Sequence, residues 1–196
     1  MPDHRQRDRP SVICCSCPEL VEFDRQPIDP HKLRGFVLAR SESLTLLHLL
    51  NDDVMDLNGY TVIRNRDVRR KKIFGGNSFV ARALALKAIE PTPLANIALT
   101  NWAHLLRSAN KAFPLVTIHM EATNPDVCYI GRIIAMTGQS FGLREIGTHA
   151  SWTKSSRRLF KDLTKVDFGG GYEDALNRVA ADNARRALKR KSERTK

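Results

Sequence analysis

The sequence lacks any run of about 18 consecutive apolar residues, the length a membrane-spanning helix needs. Its opening, Met1-Pro2-Asp3-His4-Arg5-Gln6-Arg7-Asp8-Arg9-Pro10, is charged and leads into only a short apolar patch, so neither a signal peptide nor a membrane span is expected. Cysteine is also scarce, with 4 in 196 residues. Cys14, Cys15 and Cys17 crowd together while Cys128 stands alone. The Cys14/Cys17 pair has no second C-x-x-C and no histidine cluster to complete a zinc module or a disulfide framework. A reducing, cytoplasmic setting with free thiols, no metal and no cofactor is the expectation.

Catalytic patterns are equally sparse. Asp167-Phe168-Gly169 spells the magnesium-holding tripeptide of protein kinases, but the glycine-rich loop, the lysine strand and the H-R-D loop are missing. Gly169-Gly170-Gly171 precedes a helical pattern, yet Glu173 and Asp174 occupy its first turn and repel a phosphate from the helix N-terminus. That stretch reads as a turn between strand and helix. His119 and Glu121 alternate along one strand, with Cys128 on a neighbouring one, which gives three candidate metal ligands and no fourth. His48 and His104 have no acid or nucleophile at motif spacing, so a non-enzymatic protein is expected.

Positive charge is what the chain has in quantity. The formal net charge is +11, and residues 181–196, which include Arg185, Arg186, Lys189 and Arg190, supply +5 of it. A second concentration is Arg64, Arg66, Arg69, Arg70, Lys71 and Lys72, echoed later by Arg157, Arg158, Lys161 and Lys165. Such cations on strand edges either meet phosphates or keep edges from pairing with one another. Tyr60 and Trp152 stand near them in the sequence as rings able to stack on bases.

The chain also repeats itself. Phe168-Gly169-Gly170 has a twin in Phe74-Gly75-Gly76, Lys161-Asp162-Leu163 matches Arg66-Asp67-Val68, and Gly131-Arg132-Ile133-Ile134-Ala135 matches Gly35-Phe36-Val37-Leu38-Ala39. Each copy runs strand, polar turn, strand, longer connection, strand, Asp-centred turn, strand, Gly-Gly, helix. The strands are expected at 35–40, 44–50, 60–64 and 68–74, then at 131–136, 141–146, 157–161 and 163–168. A helix is expected over about 78–89, another over 101–111 with Thr100 as its N-cap, and a leading strand over 115–120. The expected fold is α+β, mainly β: two tandem small barrels, each followed by a helix, with a helical linker between. The boundaries are a disordered leader 1–27, a first barrel plus helix 28–90, a linker 91–113, a second barrel plus helix 114–180, and a basic helical extension or tail 181–196.

Within each copy, glycine followed by apolar residues on a first strand, and later Val62-Ile63-Arg64-Asn65-Arg66-Asp67-Val68, resembles the two-part signature of Sm-like small barrels. The resemblance covers about residues 33–74 and, with fewer matches, 129–168. That family carries Ile-Arg-Gly where this chain has Asn65 after Arg64. Ser41 and Thr45 in the first copy, and Thr137 and Phe141 in the second, stand near the family's base-contacting Asp and Asn. The resemblance therefore implies a barrel geometry without the base-reading residues. Together with the charge it points to binding of RNA or another polyanion through phosphate contacts, with low sequence specificity. The alternative is a protein-interaction module, in which the barrel clefts or the loop from Asn51 to Asn58, with three acids beside Val54, Met55 and Leu57, meet a protein partner.

Overall fold

Alternating apolar residues and tight polar turns set strand after strand in antiparallel order, and the computed structural model describes residues 13–194. The elements are β1 (Ile13–Asp24), β2 (Leu33–Arg40), β3 (Leu44–Asn51), β4 (Asp56–Arg64), β5 (Arg70–Ile73), α1 (Phe79–Leu86), α2 (Trp102–Ala112), β6 (Val116–His119), β7 (Cys128–Met136), β8 (Ser140–Ile146), β9 (Trp152–Leu159), β10 (Lys165–Phe168) and α3 (Gly171–Arg194). A single turn of 3-10 helix precedes β5 (Asn65–Asp67) and another precedes β10 (Phe160–Asp162).

All ten strands join one open antiparallel sheet in the order β5-β1-β2-β3-β4-β10-β6-β7-β8-β9. This corrects the expected architecture of two separate small barrels with a helical linker between them. β10 is paired on both sides, Lys165 to Phe168 lying opposite His119 to Val116 of β6 and opposite Ile63 to Tyr60 of β4. The core is likewise shared: Leu46 and Val62 from the first half pack with Ile118, Leu143, Val166 and Phe168 from the second. Helix α2 buries Leu105, Leu106 and Ala109 in that same cluster, so it is part of the core and not a spacer. Its N-cap is Asn101, whose Oδ1 accepts from His104 N at 3.0 Å, one residue after the expected Thr100.

The order of elements does repeat, since β5-β1-β2-β3-β4 and β10-β6-β7-β8-β9 are the same arrangement. Gly35 and Gly131 show the repeat at atomic scale. A Cβ on Gly35 would sit 2.3 Å from His48 O, and one on Gly131 would sit 2.2 Å from Arg144 O, so only glycine lets β2 and β7 approach the next strand. A bulge follows each glycine, between Val37 and Ala39 and between Ile133 and Ala135, and bends the strand. The Phe-Gly-Gly twins, however, are one residue out of register. Val21 lies opposite Gly35 and Ile73, and Val116 lies opposite Gly131 and Phe168, which makes Ile73 the counterpart of Phe168.

Residues 13–24, expected to belong to an unstructured leader, form β1 and bury Leu20, Val21 and Phe23. The remainder of that leader up to Val12 lies outside the described residues. Helix α1 packs Val80 and Leu84 on Leu20 and Leu50, while α3 packs Leu176 and Ala180 on Leu115, Ile146 and Ala150. The basic segment from Ala181 is the C-terminal half of α3, running on from the last buried residue, Ala180. Among the described residues, no helix is long and apolar enough to cross a membrane.

Gly169 has φ +72°, and a Cβ there would lie 2.6 Å from Phe113 Cε1, whereas Gly75 has nothing within 4 Å of its would-be Cβ. Gly169→Ala should therefore cost roughly 1–3 kcal/mol in urea unfolding, and Gly75→Ala should stay within about 0.5 kcal/mol of wild type. Equal effects at the two glycines would refute this account of the turn.

Candidate nucleic-acid interface

β4 runs directly into the first 3-10 turn, and the second 3-10 turn is joined to β10 by Leu163 and Thr164 alone. Pairing of Ile63 with Lys165 therefore sets the two turns side by side. Between them opens a cavity of about 490 Å³, lined by Glu42, Arg64, Arg66, Trp102, Phe160 and Lys161 together with Ser43, Leu44 and Asn101. Arg66 and Lys161 hold the same position in the two turns. Both are exposed, and neither forms an ion pair among the described residues. Arg64 is committed to the scaffold, its Nε 2.6 Å from Asp67 Oδ2 and its Nη1 3.5 Å from Lys161 O.

The turn between β2 and β3, on one wall of the cavity, is tied by Asn65. Its Nδ2 donates to Ser41 O at 2.9 Å and Glu42 O at 2.8 Å, and its Oδ1 accepts from Thr45 Oγ1 at 2.6 Å. Ser41 and Thr45, the residues standing near the base-contacting positions of Sm-like proteins, are thus both bonded to Asn65. In the second half the corresponding turn is closed by Thr137 and Ser140, whose hydroxyls lie 2.8 Å apart. Position 160 is therefore free to be aromatic, and Phe160 packs on Phe141 with ring centroids 5.4 Å apart.

The remaining cations expected to bind phosphate fall into separate places. Arg69, Arg70, Lys71 and Lys72 lie at β5 and Arg157 and Arg158 on β9, at opposite ends of the strand order. Lys71 is taken by Glu19 at 2.7 Å. Arg158 is taken by Glu145 at 2.6 Å and stacks over Tyr129 at 3.5 Å, and Arg157 Nε donates to Ser140 Oγ at 3.0 Å. On α3, Arg185 and Arg186 pair with Asp182, and Lys189 lies 4.0 Å from Glu193, all exposed, while Arg190 has no ion-pair partner among the described residues. The expected stacking rings are also engaged: Tyr60 stacks on His48 at 4.6 Å, and Trp152 lies under Arg132 and Arg144 at 4.9 and 5.2 Å. Trp102 and Phe160 take their place at the cavity. Trp102 is half-buried at the start of α2, and in the sequence it falls at helical spacing with buried Leu105, Leu106 and Ala109, so nothing there separates it from the core-facing side of that helix.

The three candidate metal ligands are divided among other partners. His119 Nε2 lies 2.7 Å from Asp167 Oδ2, and Asp167 also accepts from Thr61 Oγ1 of β4. Glu121 is buried against Arg25, which has no exposed side-chain surface; Arg25 Nη1 lies 3.1 Å from Glu121 Oε1 and 3.2 Å from Asp29, and Nη2 bonds Glu121 Oε2. Lys165 Nζ completes the cluster at 3.2 Å from Glu121 and 3.8 Å from Asp29. Cys128, the cross-strand neighbour of His119, is an exposed free thiol. Among the described residues, no group of three or more His, Cys, Asp or Glu side chains is placed to hold a metal ion. Of the glycines after Phe168, Gly171 has its N–H taken, donating to Asn58 Oδ1 at 2.8 Å. Comparison with known proteins finds no matching family model, curated relative or solved structure.

Burial opposes the charge on Glu121, but hydrogen bonds from Arg25 and the charge of Lys165 outweigh it and hold the carboxyl below its ordinary value. Asp167 is held low in the same way, burial being outweighed by His119, Lys165 and Thr61. Both carboxyls have folded pKa values below their unfolded ones. The stability they confer is complete above about pH 4.3, the unfolded glutamate value, and is lost as pH falls through the folded values. Urea unfolding across the acid range should show that loss. Glu121→Gln, which leaves Asp29 as the one carboxylate on buried Arg25, should cost about 1.5–3 kcal/mol at neutral pH and flatten the acid limb. A variant as stable as wild type would show that the cluster does not hold the two halves.

Proposed function

We propose that the protein is a non-enzymatic, cytoplasmic RNA-binding protein that holds single-stranded segments at the junction of its two halves. One observation carries this reading: Arg66 and Lys161, equivalent cations from the two halves, line a single open cavity beside the rings of Trp102 and Phe160. A splayed base stacks on an aromatic face while neighbouring phosphates meet the cations, a combination that suits single strands and tolerates sequence variation. The exposed basic half of α3 adds phosphate contacts of the same kind. The resemblance to Sm-like proteins belongs to this proposal and rests on the glycine-led strands and the Val62 to Val68 segment.

A protein-interaction module is the second reading, favoured by one observation at the opposite end of β4. Val54 is 58% exposed between Asp53 and Asp56, and Lys87 Nζ fixes its loop by donating to Val54 O at 2.7 Å and Met55 O at 3.1 Å. A rigid acidic and apolar surface suits a protein better than a nucleic acid.

Fluorescence anisotropy with mixed-sequence single-stranded RNA over a salt series tests the first reading. Wild type should bind below micromolar Kd at low salt with a clear salt slope. Arg66→Ala with Lys161→Ala should weaken binding at least tenfold and reduce the slope by about 1.4, roughly 0.7 for each lost phosphate contact. Lys154→Ala, removing an exposed cation on β9, should change little. Micromolar or weaker affinity at low salt, or binding without a salt slope, would overturn the proposal.

A further inference from the structure

The sheet ends at β5, and three features of that end are left unanswered by the chain. First, the outer side of β5 has no strand partner among the described residues, although its counterpart β10 is paired antiparallel on both sides. The position is therefore one that this fold fills with a strand, and β5 presents unpaired backbone donors and acceptors there. Second, Arg70 and Lys72 face Asp24 and Glu22 across the ladder but receive no carboxylate from them. Glu22 is held by Lys32 at 2.9 Å and by Arg34 at 2.6 Å, and Asp24 Oδ1 accepts from Gln26 N at 3.0 Å. Third, apolar surface is open on both faces of this edge: Ile73 is 54% exposed, and a groove of about 790 Å³ is lined by Leu20, Phe36, Phe74, Leu84 and Ile89 together with Glu19, which Lys71 neutralises, and Glu90.

We propose that β5 is a docking edge for an extended acidic segment of a partner protein, which adds to the sheet antiparallel to β5. Its backbone completes the ladder, its carboxylates pair with Arg70 and Lys72 on one face of β5, and its apolar residues cover exposed Ile73 on the other. Charge excludes the other occupants. The opposite edge of a second copy, β9, is Trp-Thr-Lys-Ser-Ser-Arg-Arg-Leu and offers Arg70 and Lys72 no carboxylate. The chain's own first 12 residues hold three arginines against two aspartates. Nucleic acid can satisfy the cations but neither the strand ladder nor the exposed side chain of Ile73.

The test uses the full chain and three synthetic probes: a six-residue peptide alternating Glu and Val, the same peptide methylated at every backbone nitrogen, and its Lys-Val counterpart. Amide hydrogen exchange should show new protection at Arg70 to Ile73 with the Glu-Val peptide. The methylated form, equal in charge and side chains, should bind at least tenfold more weakly. Arg70→Glu with Lys72→Glu should lose the Glu-Val peptide and gain the Lys-Val one, while Arg66→Ala with Lys161→Ala should leave peptide binding unchanged. The proposal is overturned if the Glu-Val peptide fails to bind, if the methylated form binds equally well, or if protection appears elsewhere. It is also overturned if single-stranded RNA protects β5 and displaces the peptide, which would make the edge a nucleic-acid surface. None of these results bears on the junction cavity, whose own test reads Arg66 and Lys161.

Discussion

The pairing of β4 with β10 is the constraint from which the rest of the molecule follows. It places Val62 against Val166 inside a core that neither half completes alone, and it lets Thr61 donate to Asp167 across the seam. Beside it, the Arg25, Asp29, Glu121 and Lys165 cluster ties the residues just after β1 to those just after β6. A buried cluster of two cations and two carboxylates gains little over an apolar packing of equal volume. Its value lies in orientation, because only one alignment of the halves lets every member find its partner.

The same position in the repeat has opposite chemistry according to whether a strand covers it. Val62 and Ile63 of β4 are fully buried under β10, and their counterparts on β9 are Arg157 and Arg158. Apolar residues at the free edge would invite another chain, and charge there stops the sheet from growing past its tenth strand. High positive charge is thus several things at once in this molecule. On β9 it protects an edge and is largely consumed by Glu145, Tyr129 and Ser140. At the junction and at the start of β5 it is left without acid partners among the described residues, and there it is available to a ligand.

Order within each half was legible in the sequence because hairpins, Asp-centred turns and helix starts are written in residues a few positions apart. The glycines at 35 and 131 carried their meaning too, since a strand that must approach its neighbour closely can use nothing larger. The seam was hidden for the opposite reason. Thr61 and Asp167 lie 106 residues apart, and Lys165-Val166-Asp167-Phe168 reads locally like any short closing strand. Two closed barrels and one joined sheet predict the same local pattern, so the repeat suggested closure where the chain pairs across. β1 was missed behind its cysteines and balanced charge, although Val21-Glu22-Phe23 does alternate. Arg25 gave no signal at all, because a buried arginine looks like a surface one until its carboxylates are in place.

The proposed interface is a consequence of joining two diverged copies, and neither copy alone would contain it. In the first half Asn65 spends its side chain closing the turn between β2 and β3. In the second half Thr137 and Ser140 close that turn without help from position 160, and a phenylalanine can stand there. One copy thus supplies a rigid wall and an arginine, and the other supplies an aromatic ring and a lysine, with α2 inserting Trp102 between them. These groups meet only because the end of β4 lies against the start of β10. Disrupting that pairing would separate Arg66 from Lys161 even if each turn kept its own shape.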